Sequence, residues 1–176
     1  MAVSDSLRGY RTQFLYTLYR ALSTQNHSLI FYPEGLEDLD IYDGNSICEC
    51  IQVKNYENTL CFSDLFSKGG ETDFFSRSLS VLKNCPNAKN RLYSFNTISD
   101  ELKDNSKLEK KLRKNNKVHF TSAQIYSFLE AYIYEEASED NLYEEVLRLM
   151  KEISAQFKSS VEIQSQLLAK YCTYTI

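Results

Sequence analysis

Apolar residues recur at helical spacing near the start of the chain. Tyr10, Phe14, Leu15, Leu18 and Leu22 form a stripe, with Ser4 or Ser6 placed to cap a helix running to about Leu22. Ser28–Tyr32 is a short, mostly apolar run stopped by Pro33, and it reads as a buried strand. Polar and apolar residues then alternate through Glu37-Asp38-Leu39-Asp40-Ile41 and again through Ile51-Gln52-Val53-Lys54. Asp43-Gly44-Asn45 between them is a turn sequence, so the pair predicts a hairpin. Ser63-Asp64 predicts a short helix over 65–68, which Gly69-Gly70 would break. Thr72 would cap the next helix, burying Phe74, Phe75, Leu79, Val81 and Leu82. Arg91–Phe95 alternates and predicts a further strand.

After Ile98 the texture changes. Val118-His119-Phe120 predicts a small extended piece, and Thr121 a helix through Tyr134 with the stripe Ile125, Phe128, Leu129 and Tyr132. An acidic run, 135–140, precedes a helix to about Phe157 that would bury Leu142, Val146, Leu149, Met150 and Ile153. A last amphipathic segment covers Val161 to Tyr171. The expected organisation is therefore an α/β or α+β core over residues 1–97 and an all-α extension over 98–176 packed on it.

The hairpin carries the candidate chemistry. Side chains alternate across a strand, so Asp38 and Asp40 share one face and Gln52 and Lys54 share another, with Leu39, Ile41, Ile51 and Val53 on the opposite sides. If the apolar sides enter one core, two carboxylates, an amide and an ammonium converge beyond it. A hairpin symmetric about Asn45 sets Asp38 opposite Gln52, to within one or two residues. A carboxylate near a Lys is most often a surface ion pair of small energetic worth. The same groups also suit phosphodiester hydrolysis, where hard Mg²⁺ takes one or two carboxylates plus waters and a nearby ammonium stabilises developing charge.

An acid on one strand followed by Gln-x-Lys on the next resembles the PD-(D/E)xK nuclease family. Glu34-Gly35-Leu36-Glu37-Asp38, Gln52-Val53-Lys54-Asn55-Tyr56 and the upstream Gly9-Tyr10-Arg11-Thr12-Gln13 together resemble the double-stranded-DNA endonuclease effector domains of bacterial anti-phage systems. The likeness covers about the first third of the chain. It implies a restriction-endonuclease-like core of order αβββαβ and a cytoplasmic bacterial enzyme acting on DNA with Mg²⁺ or Mn²⁺. Asp38, Gln52 and the main-chain carbonyl of Val53 would hold the metal, and Lys54 would position the attacking water. Asp40, Glu34 and Gln13 would support them. The resemblance also implies a domain cut from a longer protein with a sensor or NTPase module, working as a homo-oligomer. Gln in place of the commoner Glu removes one negative charge, which Glu34, Glu37 or Asp40 would have to supply.

Composition limits the alternatives. The 176 residues are 43% hydrophobic and 13% aromatic, enough for a proper core, and the net charge is −4. The overall field therefore opposes DNA, and binding would need a local basic patch. Lys107, Lys110, Lys111, Arg113 and Lys114 form the one stretch of that kind, which reads equally as a solvated basic helix. Five Cys without a CxxC, and two distant His, do not make a structural zinc site and suit reduced thiols. The start has no signal-peptide pattern, and no run approaches the roughly 20 apolar residues of a membrane helix. Two rivals to the DNase reading stand: a catalytically silent protein-binding or oligomerisation module, and a nuclease acting on RNA.

Overall fold

A computed structural model describes residues 2–66, 73–115 and 120–156. In chain order the elements are helix α1 (Ala2–Ser23), strands β1 (Leu29–Pro33), β2 (Leu39–Asp43) and β3 (Ser46–Lys54), helices α2 (Phe62–Leu65) and α3 (Phe74–Asn84), strand β4 (Lys89–Ser94), helices α4 (Asp100–Lys103), α5 (Asn105–Lys114) and α6 (Ser122–Ala131), strand β5 (Tyr132–Glu136) and helix α7 (Glu139–Gln156). The fold is mixed α/β. Among the described residues, five strands form a sheet in the order β1-β2-β3-β4-β5. The first three run antiparallel as two consecutive hairpins, and β4 and β5 add in parallel to β3.

Two compact units are present, one built from α1 and α7, the other spanning Asn26–Ser138. In the helical unit Arg11 pairs with Glu139, and Leu142 and Val146 are buried while Leu149, Met150 and Ile153 are half-buried. The expected stripe of α1 is displaced. Tyr10 and Phe14 are exposed, and among positions 9–23 the buried ones are Thr12 and Tyr16, one turn apart.

In the sheet unit the faces are sorted by parity. Leu39, Ile41, Ile51, Val53 and Tyr93 are buried on one face. The other carries Asp40, Cys50, Gln52, Lys54, Asn90, Leu92 and Ser94. The main apolar cluster forms on this second side, where Leu92 meets Phe74, Phe75 and Leu79 of α3, Phe128 of α6 and Tyr132 of β5. Phe75 is its centre: fully buried, with ring centroids 5.0 Å from Phe62, 5.6 Å from Phe74 and 5.5 Å from Phe128.

Three expectations change. The segment after Ile98 is not all-α, because Tyr132–Glu136 leaves the helix and extends the sheet beside β4. Tyr-Ile-Tyr suits a strand, and the open edge of β4 offers backbone partners that a longer helix would forgo. α4, α5, α6 and β5 thus belong to the sheet unit, and α7 groups with α1. The short helix begins earlier than expected, at Phe62, with Asp64 receiving the Cys61 N–H at 2.7 Å. α3 is capped by Asp73, which accepts from the Ser76 N–H at 2.8 Å. The expected features at Lys68 through Thr72, the small extended piece at 118–119, and the segment after Gln156 lie outside the described residues.

Candidate functional site

The register of the β2–β3 hairpin decides which side chains meet. Gly44 and Asn45 form a two-residue turn between the paired Asp43 and Ser46, and Gly44 has φ 60°. Positive φ at the first turn position is what a II′ hairpin turn needs. A regular ladder from this turn would set Asp38 opposite Ile51. It does not form, because the register shifts between Ile41 and Tyr42: Tyr42 pairs with Ile47, but Ile41 pairs with Glu49. Cys48 is the extra residue of a β-bulge, and its thiol donates to the Ile41 carbonyl at 3.2 Å. Past the bulge Leu39 faces Ile51, so apolar meets apolar and the next pair outward is Asp38 with Gln52.

Asp38 is held there by hydrogen bonds. Its Oδ2 accepts from the Gln52 side-chain amide and, at 2.7 Å, from the Val53 N–H. Oδ1 has no donor among the described residues. The N–H and C=O of one strand residue point to the same side, so the Val53 carbonyl also faces the Asp38 side. The Lys54 carbonyl faces the other way, accepting from the Phe95 N–H at 2.9 Å. Burial raises the Asp38 carboxyl above its ordinary pKa, against the pull of the Val53 N–H, Lys54, Gln52 and Arg77. Lys54 is therefore close enough to act on Asp38, on the same face of the sheet.

Arg77 of α3 completes the arrangement, and sequence reasoning missed it. Its Nε and Nη2 donate to the two oxygens of Glu37, both at 2.8 Å, and Nη2 also donates to Gln52 Oε1 at 3.0 Å. The missed signal was a cation on an apolar helix face: Arg77 stands one turn from Phe74 and one turn from Val81, both buried. The Glu37 carboxylate is only 2% exposed. Burial pushes its pKa up to about 7, against the lowering effect of Arg77. Arg77 in turn is raised by its hydrogen bond to Glu37.

Glu37 yields a pH prediction. A carboxyl whose pKa is raised on folding stabilises the fold most when protonated. Its contribution is complete below about 4.5 and is lost as pH rises through about 7. Relative to Glu37→Gln, the wild type is expected to lose on the order of 3 kcal/mol of stability over that window. Urea unfolding midpoints of both proteins at several pH values check this, and parallel profiles would refute it.

The other candidates are placed as follows. Asp40 is fully buried, with Oδ2 accepting the Leu36 N–H at 2.6 Å and Oδ1 the Glu37 N–H at 3.3 Å. It organises the loop rather than presenting a free carboxylate. A Cβ at Gly35 would lie 2.2 Å from Asp40 Oδ2, so the loop requires glycine there. Glu34 takes φ 55° in the same loop, its N–H donates to the Asp38 carbonyl at 3.2 Å, and its pKa is raised by burial and then by Asp38. Gln13 lies on α1, in the helical unit. Of the basic residues of α5, Lys111 pairs with Glu101 at 2.6 Å, Arg113 with Glu109 at 2.8 Å and Lys107 with Asp100 at 3.7 Å. Lys110 and Lys114 have no carboxylate partner among the described residues.

Beside this network opens a cleft of about 330 Å³, lined by Gln52, Lys54, Asp64, Leu65, Phe66, Asp73, Phe74 and Arg77. Among the described residues no three His, Cys, Asp or Glu groups converge to hold a metal. Among the described residues the uncommitted oxygens include Asp38 Oδ1 and the Val53 carbonyl, with the Glu34 carboxylate near Asp38, and, in the cleft lining, the buried Oδ2 of Asp73. That set fits Mg²⁺, which keeps several waters and needs only one or two protein carboxylates. The Gln52 oxygen, the expected amide ligand, accepts from Arg77 at 3.0 Å, which occupies one of its two lone pairs. No protein-family model, curated protein or solved structure matches the chain.

Proposed function

We propose that the hairpin site is the centre of a metal-dependent endonuclease that hydrolyses DNA phosphodiester bonds, the effector domain of a bacterial anti-phage protein. The succession α1, β1 to β3, α3, β4 supports a restriction-endonuclease-like core. The observation that carries the reading is the meeting of Asp38 with Gln52 across the hairpin, with Lys54 on the same face beside the cleft. Bound Mg²⁺ or Mn²⁺ would lower the pKa of a water and offset phosphate charge. Asp38 Oδ1 and the Val53 carbonyl would hold that ion, and Gln52 and the Val53 N–H keep the Asp38 carboxylate aimed. Lys54 orients the attacking water and stabilises charge that builds on the phosphate. Double-stranded DNA is the expected substrate, with control by a sensor or NTPase module and by self-association.

The test is supercoiled plasmid with and without Mg²⁺, beside thermal unfolding of wild type and Asp38→Ala. A ligand that binds only the folded state stabilises by mass action, about 2.7 kcal/mol at one hundred times its Kd. Mn²⁺ or Mg²⁺ is expected to raise the melting temperature of the wild type and not of Asp38→Ala. One observation favours a second reading, a silent protein-binding module: Glu37, Arg77, Gln52 and the Oδ2 of Asp38 already bond one another. In that case neither cation shifts the wild-type transition.

A further inference from the structure

Gln52 sits between two partners that leave its amide no choice. A carboxylate only accepts and a guanidinium only donates. The NH₂ must therefore face Asp38 and the oxygen must face Arg77, as the contacts show. Remove the guanidinium and the second constraint disappears. The amide is then held at one end only, and its oxygen can swing into the cleft to meet water. Each such swing takes from the Asp38 carboxylate one of the two donors on Oδ2, and with it the fixed direction of Oδ1.

Arg77 is itself held still. Its two parallel bonds to Glu37 fix the guanidinium plane, and the Glu37 carboxylate is anchored at 2% exposure. The chain of contacts thus runs from the buried Glu37, through Arg77 on α3, to Gln52 on β3 and Asp38 at the mouth of β2. Lys could neutralise Glu37 but, as a point charge, could not reproduce the fork and the third bond together.

We propose that Arg77 is a positioning residue of the cation site, acting through Gln52 to leave Asp38 Oδ1 free and aimed. The proposal rests on the reading of Asp38 as a cation ligand, and it adds a residue from a different element on which that ligand depends. Residues that orient a metal ligand typically change affinity by about 10- to 100-fold when replaced.

The experiment is a double-mutant cycle read by Mn²⁺ titration calorimetry without DNA, on wild type, Arg77→Lys, Gln52→Met and the double variant. Arg77→Lys is expected to weaken Mn²⁺ binding by at least about tenfold in the wild-type background and by less than about twofold in Gln52→Met, because the route runs through the amide. A general structural role for Arg77 would give the same loss in both backgrounds, and that result overturns the proposal, as does unchanged affinity of Arg77→Lys. If Arg77→Lys does not fold, Arg77→Met with Glu37→Leu removes both ends of the ion pair together and takes its place in the cycle. Failure of the wild type to bind Mn²⁺ removes the cation site, and the proposal falls with it. Mn²⁺ binding without plasmid cleavage removes the nuclease reading alone, while the cycle still decides the role of Arg77.

Discussion

Asp38→Asn and Lys54→Ala are each expected to abolish Mg²⁺-dependent plasmid nicking in proteins that still unfold cooperatively near the wild-type temperature. The physical reason differs between them. Asn keeps the shape of Asp and can still accept from the Gln52 amide and the Val53 N–H, but it removes the negative charge that a hard cation requires. Cation affinity and cleavage then fall together. Lys54 is not a ligand, so its removal leaves Mn²⁺ binding in place and takes away stabilisation of charge on the phosphate. Loss of one such group costs about 10²- to 10³-fold in kcat. The measurements are plasmid nicking, Mn²⁺ titration and thermal unfolding on each variant. Residual nicking by Lys54→Ala at the wild-type rate would remove the proposed chemistry, whatever the fate of Asp38→Asn.

Some of this molecule was legible in its sequence because the information is local. The shared polar face of Asp38, Gln52 and Lys54 follows from period-two alternation on both strands, and the buried set of α3 from helical spacing; the turn alone leaves Asp38 one residue short of Gln52, and the bulge at Cys48 makes up the difference. What escaped is set by contacts distant along the chain. The Arg77–Glu37 pair joins residues 40 apart, and no local pattern announces that a helix cation will reach a loop carboxylate. Asp40 shows the converse limit. Alternation placed it correctly on the face of Asp38, but its use was decided by a loop that folds back so that Leu36 and Glu37 donate to it. Helical spacing extends the stripe of α6 through Tyr132, and the switch to β5 at that residue is set by pairing with β4, about 40 residues earlier in the chain. The basic run of α5 reads as a free patch only without Glu101 and Asp100, which the fold brings against Lys111 and Lys107.

The largest expected change comes from the register of β3. Inserting one Ala between Ile51 and Gln52 moves Gln52 and Lys54 to the apolar face and turns Val53 toward the cleft. That exchange puts the Gln52 amide in the buried place of Val53 and takes both the amide and the ammonium away from Asp38, leaving it only a main-chain N–H. The insertion is expected to eliminate nicking completely and to cost more stability than a small domain can spare, several kcal/mol. Deleting Cys48 makes the informative contrast, since it is an equally large change to the chain at the same hairpin. Without the bulged residue Tyr42 can still pair with Ile47 and Ile41 with Glu49, so a regular ladder leads to the same Asp38–Gln52 meeting. Cleavage and Mn²⁺ binding are therefore expected to survive the deletion, with a stability loss of about 1–2 kcal/mol at most from the altered strand twist. The bulge would then be one route to the register, with face-to-face burial of Leu39 and Ile51 its cause. A folded deletion variant without any Mn²⁺ binding would show instead that the local bend at Cys48 is what aims the site.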